Sequence, residues 1–331
     1  MEMMKTLELL TASFGPSGAE DDIRETIKTL AEPFCDEITV DPLGNLVCRK
    51  RGSGKKVMFA AHMDSVGFIV TLVEQNGLLR VSRVGGVYPA ESIGVPVRFR
   101  SGARGVVYID GREKEEKPEF ERLGIDIGAS GREEAEKYVQ TGDMAVYDTR
   151  AFLTPTGMLV TPYADDRAGC LILLQVMEQV KDSPNDMYFV FTAQEEIGLW
   201  GAKTSAFGIE PDVGIAVDVG YSGNGEEREH TGTCIVGKGA GIGIMDSRSV
   251  YTPWIVTLMK ELAAKEKITW QADVEPGSCN DASAMIVSGR GSAAGAVTLP
   301  CKASHCSQEM VSPDDLNCCI RLCRALAEYG F

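Results

Sequence analysis

The stretch "DMYFVFTAQEEIGLWGA", residues 186–202, runs from a continuous apolar segment directly into two adjacent glutamates, Glu195 and Glu196. A second apolar turn follows them. An apolar run of this length, rich in aromatic and β-branched residues, reads as a buried strand. Carboxylates at its end are costly to bury, by several kcal/mol each, unless something compensates them. A bound cation, a basic side chain or a shared proton would serve. The rest of the chain has to discriminate.

The same pattern recurs. "VMFAAHMD" ends in His62 and Asp64, "GIAVDVG" carries Asp218 near its end, and "GAVTLPCKASH" reaches His305 after a short loop. Between these apolar runs lie helical patterns: "DDRAGCLILLQVMEQV", opened by Asp165 and Asp166, and "TPWIVTLMKELAAKEK". The last is "SPDDLNCCIRLCRALAEYG", with Ser312 at the N-cap and Pro313 at the first helical position. Strand–helix alternation of this kind predicts an α/β domain. In open α/β sheets ligands bind beyond the carboxyl ends of the strands, so these side chains are expected to converge.

Toward the N-terminus, Ser17 and Glu20 read as a capping box for a helix carrying Ile23, Ile27 and Leu30 on one stripe. "EITVDPLGNLVCRK" reads as a hairpin with Gly44-Asn45 at the turn. From about residue 70 to 160 the texture changes. "GVPVRFRSGARGVVYIDG" alternates polar and apolar residues, and the charged stretch "GREKEEKPEFERLG" follows, as in a small antiparallel β module inserted into the α/β domain.

Composition bounds the function. The 331 residues are 44% hydrophobic and 24% charged, as in an ordinary globular protein. A net charge of −15 argues against nucleic acid and anionic membranes as partners. No run approaches the roughly 18 apolar residues of a membrane span. The opening "MEMMKTLELL" lacks a signal peptide's basic start and cleavage site, so a cytoplasmic location is expected. The ten cysteines form no regular framework and are expected to be reduced thiols. Cys301 and Cys306 flank His305, but without a second close cysteine pair they do not make a zinc–thiolate motif.

Two of the three histidines stand at these strand ends among several carboxylates. Such a mixed nitrogen and oxygen donor set suits zinc, cobalt or manganese better than magnesium or calcium. Taken singly, each residue has a plainer reading: a turn cap for an aspartate, a core histidine for His62, helix-dipole charges for Asp165 and Asp166. Their joint recurrence favours a metal site. His230, in the charged segment "GEEREHTGT", reads as a solvated loop residue.

The chain resembles the co-catalytic metallo-aminopeptidases of the tetrahedral and glutamyl aminopeptidase group. The likeness rests on stretches in order along nearly the whole length: "AAHMDSVGFIV", "IDIGA", "DDRAG", "AQEEIGLWGA", "AVDVG", "VGKGAGIGIMD", "CNDASA" and "HCSQEM". It implies a mixed-sheet co-catalytic metallopeptidase domain with helices on both faces, formed by residues 1–69 and 161–331. A small β-barrel-like domain over residues 70–160 would interrupt it and serve oligomerisation and access.

The resemblance also implies roles. His62 and Asp218 would hold one divalent metal ion, Glu196 and His305 a second, and Asp165, followed at four positions by Gly169, would bridge both. Zinc or cobalt would be the metal, with manganese an alternative. Asp64 would orient the His62 imidazole and Glu195 would be the general base acting on a bridging water. Two dications against three carboxylates and a hydroxide make a neutral site, which answers the opening question. The expected activity is hydrolysis of the N-terminal residue of short peptides by a homo-oligomer, a dimer at least and a tetrahedral dodecamer by extension.

Around the last histidine the basic Lys302 is kept, but Ala303 stands where an aromatic residue is usual in the family and Cys306-Ser307 where Ser-Pro is, and Cys279-Asn280-Asp281 replaces Gly-Thr-Asp. Of these, Cys279, Asn280, Asp281, Lys302 and Cys306 are candidates for shaping the substrate pocket. A dipeptidase or deacylase on a related metal core is the alternative function. A glycoside hydrolase using paired carboxylates fits poorly, because it requires no histidines and needs its carboxyls on opposite sides of the scissile bond.

Overall fold

The computed structural model describes residues 1–109, 118–222 and 234–331. His230 and part of the charged stretch after residue 110 lie outside them. The long apolar runs form strands where the sequence places them. Four parallel strands make the centre of one large sheet: β12 (Asp186–Thr192), β3 (Lys56–His62), β13 (Val213–Tyr221) and β16 (Ala293–Lys302), in that order. Their side chains are almost wholly buried, which is why they read as continuous apolar runs rather than as alternation. Phe59 and Phe189 are register partners and stack at 5.6 Å between ring centres.

The expected hairpin, β1 (Glu37–Val40) and β2 (Leu46–Lys50), adds antiparallel to β12 at one edge. At the other edge β16 is followed by β17 (Glu309–Val311), β11 (Leu159–Thr161) and β10 (Phe152–Leu153). A further parallel pair, β14 (Ala240–Asp246) and β15 (Trp270–Glu275), joins the sheet through β16. Helix α5 (Ala164–Gln179) is buried almost all round, and it packs against β3 and β13. The last helix, α9 (Pro313–Glu328), starts as expected, with the Ser312 hydroxyl accepting from the Asp315 amide.

A closed barrel interrupts this sheet. Its six strands are β4 (Gly67–Val73), β5 (Leu79–Val84), β6 (Pro96–Phe99), β7 (Arg104–Ile109), β8 (Leu123–Asp126) and β9 (Met144–Tyr147), closing in the order β4-β5-β8-β7-β6-β9. Closure removes the unpaired edges that an isolated β module would expose. The barrel has its own apolar core, including Phe68, Val97, Phe99, Leu123 and Ile125. No helix among the described residues is long and apolar enough to cross a membrane.

The capping box does not form. Helix α2 spans Asp21–Ala31, Glu20 stands at its N-cap position, and no side chain caps it. Ser17 instead donates to the Asp64 carboxylate at 2.5 Å, and Glu20 accepts from the amides of Gly18 and Gln194. Both side chains are drawn beneath the ends of β3 and β12. A local pattern lost to longer-range partners with buried charge to satisfy.

Candidate metal centre

His62, Glu195, Glu196, Asp218, Asp165 and His305 line one cavity of about 440 Å³. His62 ends β3, Asp218 lies in β13, and the two glutamates follow β12. Asp165 stands at the start of α5 in a non-helical conformation, and His305 follows β16. The backbone carries strain here. Tyr163, Gln194, Leu199, Ala303 and His305 all have positive φ, and each lies within a few residues of a cavity-lining side chain. Such conformations persist only where the surroundings fix them.

Both acidic pairs divide their labour. The Asp165 carboxylate faces both imidazoles: Oδ1 lies 3.0 Å from His62 Nε2, and Oδ2 lies 3.3 Å from His305 Nε2. Asp166 also comes within metal-ligand range of His62 and Asp218. Its oxygens, however, accept from the His62 amide at 3.2 Å and the Gly169 amide at 2.9 Å, so it caps α5. A side chain on Gly169 would collide with that carboxylate, which explains the glycine. In the second pair, Glu196 Oε2 lies 3.2 Å from His305 Nε2, whereas Glu195 Oε2 lies 4.0 Å from His62 Nε2. Asp218 Oδ1 lies 3.8 Å from the same His62 nitrogen.

Asp64 supports this arrangement from beneath. It is fully buried, and its carboxylate accepts from the amides of Glu195 and Glu196 at 3.0 and 3.2 Å as well as from Ser17. His62 Nδ1 is 3.2 Å from the Asp64 backbone carbonyl and 3.6 Å from its carboxylate. The carbonyl therefore makes the closer contact to the ring, and the carboxylate mainly holds the glutamate turn. His305 has an analogous support: its Nδ1 lies 3.2 Å from the Gly86 carbonyl.

The electrostatics call for a cation. Burial pushes Glu196 up to about 7, with Asp165 adding to the rise and His305 opposing it. Burial likewise raises Glu195 and Asp218 well above the carboxylate range, His62 opposing in both cases. Burial works against charge on His305 too, but Glu196 and Asp165 hold it at about 10. Glu196 Oε1 is buried and, among the described residues, makes no hydrogen bond. Two imidazoles, three carboxylates and an unused buried oxygen fit a divalent metal centre.

Of the pocket candidates, Cys279 and Asn280 line the cavity. The others stand apart. Asp281 is buried behind it, accepting from the Thr192 hydroxyl at 2.6 Å. Lys302 is at the end of β16, paired with Met310, and the Cys306 thiol contacts Glu91. Several contributors escaped the sequence reading. Ser304 donates to Asp165 Oδ2 at 2.6 Å, and Glu309 accepts from the amides of Asp165 and His305 at 2.8 and 2.7 Å. Both lie within a few residues of His305, which was the available signal. Arg248 and Tyr88, also on the wall, gave none.

Glu20 supplies a test of the buried charge under this site. Burial, reinforced by the charge of Asp64, pushes its pKa from 4.5 up to about 7. A raised carboxyl stabilises the fold fully below its unfolded pKa, and that contribution is lost as pH rises through about 7. Glu20→Gln keeps an acceptor for the two amides and cannot ionise. In metal-free protein, thermal unfolding should therefore show the variant gaining on the wild type between about pH 5 and about pH 8, by up to roughly 3 kcal/mol. A difference independent of pH would contradict a buried ionising Glu20.

With this geometry in hand, comparison with known proteins is specific. Residues 44–322 match the model of the M42 glutamyl aminopeptidase family. The lysyl aminopeptidase of Pyrococcus furiosus is 32% identical over 99% of this chain and 96% of its own. An aminopeptidase structure from Desulfurococcus kamchatkensis superposes with a TM-score of 0.95 at 34% identity, covering 99% of this chain and 94% of that one. The Pyrococcus horikoshii TET1 peptidase, described as assembling into a tetrahedron or a large octahedral shell, matches at TM-score 0.90 and 30% identity, over 98% and 99% of the two chains. The family implies divalent metal ions, in keeping with the donor set described above. The chain belongs to the M42 glutamyl aminopeptidase family, and it is a metal-dependent aminopeptidase, a hydrolase of peptide bonds.

Proposed function

We propose that the enzyme releases the N-terminal residue of short peptides with two divalent ions and Glu195 as general base. One observation carries this reading: Asp165 turns one carboxylate oxygen to each imidazole. A carboxylate so placed suits a bridge between two ions. His62 and Asp218 would hold one, Glu196 and His305 the other, and zinc, cobalt or manganese suits the donors. When bound, the ions supply Lewis-acid polarisation and lower the pKa of water in the site.

The chain's own residues do the rest. Glu195 stands in the cavity without an imidazole in hydrogen-bond contact, free to take a proton from the attacking water and return it to the departing amine. Its raised affinity for a proton suits that task. Asp64 keeps the two glutamates in fixed relation by holding both their amides. Cys279 and Asn280 would shape the pocket for the first residue. The dipeptidase, deacylase and glycosidase alternatives are not favoured by the family.

The reading extends to assembly. The barrel, which covers residues 67–147 rather than the expected 70–160 because β10 and β11 pair into the large sheet, would act as an inserted unit for subunit contact and restricted access. A homo-oligomer, a dimer at least and a dodecamer by analogy with the TET1 peptidase, would limit substrates to short or unfolded peptides. Ten free thiols fit the reducing cytoplasm.

The division of the glutamate pair is directly testable. Glu195→Gln should retain both metals while turnover falls by about 10²–10⁴-fold. Glu196→Gln should instead lose metal, as read by elemental analysis after dialysis. Equal metal content in the two variants would overturn the assignment.

Gly86 tests the support of His305. A methyl group built there would fall 2.4 Å from the His305 ring nitrogen. Gly86→Ala should weaken metal binding by roughly 10–100-fold, although Gly86 is not itself a ligand. Unchanged affinity in a metal competition assay would show that the ring tolerates displacement.

A further inference from the structure

A second acidic site lies behind the wall of the catalytic cavity. It is a small void bounded by Asp246, Asp273, Glu275, Ser278, Asn280 and Thr298, with Gly220 and Gly243 leaving the space open. It accommodates the centre of a water-sized sphere over about 10 Å³, room for one small occupant. Ser278, Asn280 and Val219 border both this void and the catalytic cavity.

The three carboxylates here are treated very differently. Asp246 is saturated. Its Oδ1 accepts from the amides of Arg248 and Ser249, and its Oδ2 accepts from the Tyr251 hydroxyl, the Ser283 hydroxyl and the Asn280 amide. Asp273 has the Thr298 hydroxyl on Oδ2 at 2.6 Å, and its Oδ1 is without a hydrogen bond among the described residues. Glu275 is half-buried; it accepts from the Gly277 amide at 3.1 Å on Oε1, and its shielded Oε2 is likewise without a hydrogen bond among the described residues. Asp273 is only 3% exposed.

Asp273 and Glu275 are two apart on β15, so their side chains leave the same face of the strand. Among the described residues, no basic side chain borders the void. Bare buried carboxylate oxygens are costly, and a fold that gives Asp246 five donors leaves these two oxygens for something else. Burial raises Asp273 to about 6, with the charge of Glu275 adding to the rise and hydrogen bonds from the Thr298 hydroxyl and the Cys234 thiol opposing it.

We propose that this void is a binding site for one hard, oxygen-seeking cation, held by Asp273 and Glu275 and distinct from the catalytic metals. The chemistry sets the class. Among the described residues neither histidine nor cysteine lines the void, and the Cys234 thiol meets Asp273 only as a hydrogen-bond donor, so calcium, magnesium or sodium, which take carboxylate and neutral oxygens, suit it better than zinc or cobalt. A cation here also has a structural consequence. It neutralises the charge behind the loop at Ser278–Asn280, which Asp246 ties to the Arg248 turn, and both segments line the catalytic cavity. Its occupancy therefore stiffens the substrate-side wall.

The test uses the full-length enzyme loaded with zinc, transferred to tetramethylammonium buffer at slightly alkaline pH. Thermal unfolding is followed while calcium, magnesium, sodium or potassium chloride is added at constant ionic strength. The expected result is a saturable rise in Tm with at least one of these ions and none with tetramethylammonium chloride. The double variant Asp273→Asn, Glu275→Gln should lose the response and unfold in cation-free buffer no earlier than the wild type. Glu275→Gln alone serves if the double variant does not fold, and should shift half-saturation to higher cation concentration. Equilibrium dialysis of the wild type against whichever ion raises Tm should find one equivalent beyond the catalytic metals. An identical response to all salts, a response that survives in the double variant, or no additional equivalent would overturn the proposal and leave a water or a shared proton in the void.

Discussion

Asp165 faces two imidazoles at once, one carboxylate oxygen toward each, and much of the surrounding structure keeps it in that posture. Its amide is held by Glu309 and its Oδ2 by Ser304, while the neighbouring Asp166 caps the helix behind it. The constraint is electrostatic. Several carboxylates are buried around one cavity, and desolvation alone pushes most of them toward protonation. A site of this kind is stable with charge of the opposite sign inside it, which is the physical content of the family's dependence on divalent ions.

Support for the site is drawn from distant parts of the chain. Asp64 holds the Glu195–Glu196 turn by its amides, Ser17 holds Asp64, and Glu20 holds the amide of Gln194. The barrel contributes through the turn after β5. Gly85 packs on Glu196, and the Gly86 carbonyl meets His305, with no room for a side chain at either position. The barrel is thus in mechanical contact with the metal centre.

Buried carboxylates elsewhere show two different solutions. Asp315, at the first turn of α9, accepts from the amides of Gly237 and Gly239 and ties that loop to the helix. Asp246 gathers five donors and locks two wall segments together. Asp273 and its half-buried neighbour Glu275 are the contrast, since among the described residues each leaves an oxygen without a hydrogen bond. The fold can satisfy a buried acid with its own donors, as it does for Asp246 and Asp315.

The apolar runs of the central sheet, the long helices that open at Asp165 and Pro313, and the chemistry at the strand ends were legible in the sequence, whereas α6 (Trp200–Ile209) and the β14–β15 pair were not. Burial period and local capping are written in neighbouring residues, as at Ser312 and Pro313. The collection of His62, Glu195, Glu196, Asp218 and His305 at one edge follows from parallel strands, whose carboxyl ends lie together. What adjacency in sequence could not decide was which of Asp165 and Asp166 turns into the cavity, and which of the two cavity-lining glutamates meets His305. Asp165 and Asp166 are chemically identical, and only the amides of His62 and Gly169 draw one of them away. Ser17 and Glu20 match a local cap yet serve Asp64 and Gln194, because a buried charge outcompetes an exposed helix end for donors. Local pattern determines which residues are available; packing between segments far apart in sequence decides what each one touches.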